Sequence, residues 1–180
     1  MRQPVTPPKL QDFMKALGRA ARSSARIYLV GGASAVLLAW RPATIDIDLK
    51  IIPEADEILR SLPVLKERLQ INIELASPDH FIPELPGWQE RSQFIQQEGT
   101  LIFFHYDFYA QALAKIERSH EIDLRDVHEM IQRGLVKPGR LLELFAAIEG
   151  QLYRYPAVDP SSFRRAVERV ISEEEDPDGL

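Results

Sequence analysis

The stretch Ile27-Tyr28-Leu29-Val30-Gly31-Gly32-Ala33-Ser34-Ala35-Val36-Leu37-Leu38-Ala39-Trp40-Arg41-Pro42-Ala43-Thr44-Ile45-Asp46-Ile47-Asp48-Leu49-Lys50-Ile51 decides how the chain is read. An apolar, β-prone run ends at a glycine pair. A short helix-forming segment, Ala33 to Ala39, follows, and Pro42 keeps it from continuing. A second strand then alternates apolar and acidic residues. Side chains on a strand point alternately to its two faces, so Ile45, Ile47 and Leu49 are expected on one face and Asp46, Asp48 and Lys50 on the other. Two carboxylates on one strand face repel each other unless they are solvated or share a cation such as Mg²⁺. By itself the Asp-x-Asp pattern fits ordinary surface aspartates. A glycine pair opening a helix changes the balance, because exposed backbone N–H groups and the helix dipole favour a phosphate. A phosphate cradle beside a divalent-metal site is the minimal apparatus for phosphoryl or nucleotidyl transfer.

Gly31-Gly32 followed by Arg41-x-x-Thr44-x-Asp46-Ile47-Asp48-Leu49 resembles the core motif of DNA polymerase beta-like nucleotidyltransferases. The likeness is closest to the stand-alone bacterial branch that holds AbiEii-type toxins and their uncharacterised relatives, and it runs from about Ile27 to about Met130. It implies an α/β nucleotidyltransferase fold: a small mixed β-sheet flanked by helices, with a C-terminal helical portion. It also implies catalysis with two Mg²⁺ ions (Mn²⁺ being the alternative) held by Asp46, Asp48 and a third carboxylate. Commoner versions of the motif place Ser or Thr directly after a glycine. Ala33 fills that slot here, and Ser34 is the substitute.

The third carboxylate is expected at Glu74. Gln70-Ile71-Asn72-Ile73-Glu74-Leu75 repeats the alternation of the second strand, with Ile71, Ile73 and Leu75 facing one way and Asn72 and Glu74 the other. Asp79, in a proline-containing loop over residues 76–87, is the reserve candidate. Farther along, Lys115, Asp123 and Asp126 resemble the second AbiEii-type motif, which implies that the lysine reaches the nucleotide triphosphate while the aspartates shape its pocket. Ile122 stands where that motif has a basic residue. The expected nucleotide-binding set is thus Gly31, Gly32, Ser34, Arg41, Lys115, Asp123 and Asp126. Arg41 reads equally as a phosphate clamp or as an anchor for its own loop.

The other elements follow from periodicity. Leu10, Phe13, Met14 and Leu17 recur at helical spacing between Lys9 and Arg22. Pro53 to Leu69 reads as a helix kinked or divided at Pro63. Residues 88–98 are ambiguous between loop and short helix. Residues 100–105 form an apolar strand ending at His105, a histidine expected to be satisfied internally or to lie at the surface. Asp107 caps a helix ending near Arg118. The next begins near Asp123, buries Leu124, Val127, Met130 and Ile131, and stops at Gly134. Leu141, Leu142, Leu144, Phe145 and Ile148 give one more apolar stripe, and Phe163, Val167 and Val170 the last. The expected organisation is a flexible segment over 1–8, a core over 9–133, a helical extension packed on it over 134–172, and an acidic disordered tail over 173–180.

Bulk properties narrow the classes. A chain of 180 residues, 45% apolar, is expected to hold one domain, and the absence of cysteine excludes disulfides and thiolate metal sites. No apolar run reaches the length of a membrane span, so a soluble cytoplasmic protein without a membrane partner is expected. A net charge of −5 argues weakly against a dedicated nucleic-acid binder, although residues 1–44 carry seven cations against the single acid Asp12. The expected activity is Mg²⁺-dependent transfer of a nucleoside monophosphate from an NTP donor to a hydroxyl of a tRNA, a protein or a small molecule. The resemblance adds a cognate antitoxin or toxin as a partner. The alternative is a catalytically inactive nucleotide- or partner-binding module on the same fold.

Overall fold

The computed structural model describes residues 1–176. By its internal contacts the chain divides into two units, Met1–Ser77 with Ser92–Tyr106, and Pro78–Arg91 with the described residues from Asp107 onward. Residue 134, the expected start of a helical extension, falls inside the second of these units.

The first unit is built on a five-stranded mixed sheet. Its strands are β1 (Ala25–Val30), β2 (Asp46–Ile52), β3 (Asn72–Leu75), β4 (Gln93–Glu98) and β5 (Leu101–His105), in the order β3-β2-β1-β5-β4. β1 runs antiparallel to β2 and parallel to β5, while β2 and β3 are parallel. Three helices belong to this unit: α1 (Pro7–Ala20), α2 (Gly32–Leu37) and α3 (Asp56–Leu69). Leu10, Phe13 and Leu17 of α1 pack with Ile27 and Leu29 of β1 and Ile47 and Leu49 of β2 in one buried apolar cluster. The alternation of β2 is thus explained: Ile47, Leu49 and Ile51 enter the core while Asp46, Asp48 and Lys50 stay half-buried on the opposite face.

Several expectations change. The N-terminus is anchored rather than frayed: Val5 is fully buried and exchanges backbone hydrogen bonds with Thr44. Ile45, just before β2 begins, is exposed, and so is Leu75 at the end of the edge strand β3. Pro63 lies inside one continuous helix. Residues 88–98 resolve into a short helix, α4 (Trp88–Arg91), and the strand β4. A register shift between Phe94 and Gln96 breaks the two-residue alternation of β4, which hides the strand from a pattern search.

The second unit contains α4, α5 (Phe108–Arg118), α6 (Glu121–Gln132), α7 (Pro138–Glu149) and α8 (Pro160–Glu175). Asp107 caps α5 as expected, accepting a hydrogen bond from the Tyr109 N–H, and its carboxylate also takes two hydrogen bonds from Arg91. On α6, Val127 and Met130 are buried, but Leu124 is exposed and the aspartates Asp123 and Asp126 are inside instead. Ile171 takes the buried place expected of Val170. α8 continues through Glu175, so Glu173, Glu174 and Glu175 are helical rather than disordered; residues 177–180 lie outside the described residues. Among the described residues no helix is long and apolar enough to cross a membrane.

Candidate active site

The parallel pairing of β2 with β3 builds the site. It sets Asp46 beside Asn72 and Asp48 beside Glu74, so carboxylates separated by more than two dozen residues meet on one face. One ligand oxygen from each of Asp46, Asp48 and Glu74 lies within 4.8 Å of the others. Asn72 Nδ2 donates to Glu74 Oε1 at 2.8 Å and steadies that carboxylate. Asn72 is a site residue that the sequence reading placed on the right face without giving it a role.

Electrostatics at this corner are unfavourable to three bare anions. The Asp46 carboxyl is held above its ordinary pKa, first by partial burial and second by the negative charge of Glu74. Three hard oxygen donors at this separation suit Mg²⁺ or Mn²⁺, which prefer carboxylate ligands and keep part of their water. The donor set therefore fits a divalent cation. Asp79 is not part of this group; Glu74 fills the place for which it stood in reserve.

The glycine pair divides into two roles. Gly31 has φ +59°, a conformation L side chains rarely adopt, and a Cβ there would sit 3.8 Å from Asp48 Oδ2. The bare backbone of this turn is therefore adjacent to the acidic corner. Gly32 answers a packing demand, since a Cβ on it would lie 2.1 Å from Thr44 Oγ1. Thr44 is the Thr of the Arg41-x-x-Thr44-x-Asp46 pattern. It is buried, fastened to Val5, and holds the chain that leads into β2 against the start of α2. Arg41 is half-buried, with its N–H directed to the Ala35 carbonyl.

Ser34 is not available to a phosphate. Its side chain is fully buried, its hydroxyl donates to the Leu29 carbonyl at 3.3 Å, and His105 Nδ1 is 2.9 Å away. Burial lowers the pKa of His105 to about 4, so it is neutral at physiological pH, an internally satisfied histidine. Ser34, expected to replace the motif hydroxyl at position 33, is thus turned toward the sheet by the first turn of α2.

Lys115, Asp123 and Asp126 do come together, in the second unit. Lys115 Nζ is 3.2 Å from Asp123 Oδ1 and 2.8 Å from Asp126 Oδ2, and Arg118 Nη2 reaches Asp123 at 2.8 Å. All three members of the motif are buried. A lysine neutralised by two buried carboxylates locks α5 to α6, which differs from the free triphosphate contact implied by the motif. Sequence spacing signals that these residues are related; only their burial shows what they do for one another.

Comparison with known proteins supports the fold. The family described as nucleotidyltransferase of unknown function (DUF6036) matches residues 9–164. A crystal structure of an antigenic nucleotidyltransferase-like protein from Paracoccidioides brasiliensis is similar over 92% of this chain and 95% of that one, with a TM-score of 0.50 and 15% identity. No curated protein matches the sequence.

Proposed function

The chain belongs to the family of nucleotidyltransferases of unknown function, and on that premise we propose that it transfers a nucleoside monophosphate from an NTP to an acceptor hydroxyl, using Asp46, Asp48 and Glu74. The observation that carries this reading is the meeting of three carboxylates from two strands within 4.8 Å on one sheet face. Asp46 and Asp48 would hold Mg²⁺ on the side of the donor, and Glu74, steadied by Asn72, would complete the set. Such ions supply positive charge to the triphosphate and lower the pKa of a bound hydroxyl.

The acceptor oxygen attacks the α-phosphorus, the bond to the pyrophosphate oxygen breaks, and the hydroxyl proton passes to a carboxylate. Glu74 suits that role because it is exposed and already oriented. The Gly31 turn, beside Asp48, offers backbone free of side chains where a phosphate can approach. Ser34 and Lys115 have no part in this version of the site, since each is bound internally.

The inward turn of Ser34 is also the observation that favours the second reading, a module that binds nucleotide without turning it over. Pyrophosphate release from each NTP with Mg²⁺, in the presence of a pool of hydroxyl acceptors (single-stranded RNA, protein and small alcohols), separates the two. The preferred reading expects release by the wild type and its loss in Asp46→Asn and in Asp48→Asn with the fold retained. Release that survives either change would end it.

A further inference from the structure

The sheet face that bears the carboxylates continues beyond them. Antiparallel pairing sets Val30 opposite Asp48 and Tyr28 opposite Lys50, and Arg26 lies two residues farther along β1. Directly paired residues of neighbouring strands point to the same side, so Arg26, Tyr28 and Lys50 share the face of the acidic corner. On the other flank of β1, the sheet sets Phe104 beside Tyr28 and Phe94 beside Phe104.

The result is an ordered aromatic row. Tyr28 and Phe104 stack with centroids 5.3 Å apart at 22°, and Phe94 meets Phe104 edge-on at 6.3 Å. The Arg26 guanidinium lies 5.8 Å from the centre of the Phe104 ring. Exposure rises along the row. Tyr28 is buried at 1%, Phe104 is half-buried, and Phe94 is 63% exposed. Arg26 is exposed and has no carboxylate partner among the described residues. An aromatic row that opens to solvent at Phe94 and carries at Phe104 a guanidinium without a carboxylate partner is matched by a ligand that has both flat aromatic faces and negative charge.

We propose that Phe94, Phe104 and Arg26 form a stacking platform for the bases of a single-stranded nucleic acid, and that this strand is the acceptor whose terminal hydroxyl is presented to Asp46, Asp48 and Glu74. The second half of this inference rests on the transfer reading above; the platform itself does not. Three strand spacings across and two residues along separate Phe94 from Asp48, roughly 16 Å, a reach that a strand of a few nucleotides covers. Aromatic stacking tolerates any base, while the cation holds the backbone. Duplex is excluded by the same logic, because its bases have no free faces.

The test is fluorescence polarisation of a short labelled oligouridylate, and of the same strand in duplex, with the full chain and neither NTP nor metal. The single strand is expected to bind in preference to the duplex. Phe94→Ala should weaken binding roughly 10-fold, Phe94→Trp should retain it, and Arg26→Ala should make it less dependent on salt by about one phosphate contact. Failure of the wild type to bind, equal binding of duplex, or full binding by Phe94→Ala would overturn the platform. So would a dimer on size-exclusion chromatography that Phe94→Ala dissolves, which would make Phe94 a protein interface. A parallel Mg²⁺–NTP titration of the wild type separates the two readings. Nucleotide binding without oligonucleotide binding overturns the platform alone, and oligonucleotide binding without nucleotide binding overturns the acceptor role.

Discussion

Replacing Lys115 by Met should unfold the protein more easily before it does anything to a ligand. The side chains of Lys115, Asp123 and Asp126 are 8%, 4% and 3% exposed, so methionine fills the volume of the stem and leaves two buried carboxylates without the ammonium. Removing one partner from a buried ion pair costs about 3–5 kcal/mol. Asp123 keeps Arg118 at 2.8 Å, which places the expected loss near the lower end, about 3 kcal/mol. For a chain of this size that is a fall in Tm of roughly 6–12 °C, readable by circular dichroism. The double change Lys115→Met/Asp126→Leu should recover much of the loss, because a buried pair replaced as a whole by apolar side chains is often neutral. Unchanged Tm in Lys115→Met together with weakened Mg²⁺–NTP binding would refute this reasoning and restore the lysine to the triphosphate.

Three other outcomes follow from the site. Gly32→Ala should lower the urea midpoint by an amount equivalent to about 1–3 kcal/mol, since its Cβ would overlap Thr44 Oγ1; a midpoint matching that of the wild type would show the close approach to be unimportant. Because His105 titrates near 4 when folded and near 6.5 when unfolded, the unfolded chain binds the extra proton first. Stability should therefore fall as pH drops from about 6.5 to about 4, by up to roughly 3 kcal/mol in all, and His105→Gln should flatten that slope. Asp46→Asn should raise Tm in metal-free buffer at neutral pH, because the raised pKa of Asp46 means that its charge opposes folding there. Added Mg²⁺ should then raise the Tm of the wild type but not that of the variant; a Tm gain from Mg²⁺ in both would place the ion elsewhere.

Much of the first unit is legible in the sequence because β2 and β3 obey a strict two-residue alternation. The same alternation that buries Ile47, Leu49 and Ile73 sets Asp46, Asp48 and Glu74 on the opposite face. The parallel register that makes them neighbours is a tertiary fact, and the repeated pattern of the two strands only hints at it. Where the pattern is broken, reading fails. β4 escapes notice because of its irregular register, and with it the exposed ring of Phe94. Ser34 misleads because the sequence does not show that positions 33 and 34 are both buried, with the Ser34 hydroxyl turned to the Leu29 carbonyl and His105. Burial of charge is the least legible property of all. The motif groups Asp123 and Asp126 with Lys115 around a nucleotide, but that the three are buried against one another while Leu124 is exposed is visible only in the structure.

The central claim is that Asp46, Asp48 and Glu74 form a metal-dependent nucleotide site, and isothermal titration of each of the four NTPs tests it most directly. Wild type and Asp46→Asn/Asp48→Asn are compared, with Mg²⁺ and with EDTA. The account predicts binding of at least one NTP that requires both the metal and the two aspartates. Equal binding by the double variant, or binding that persists in EDTA, would contradict it.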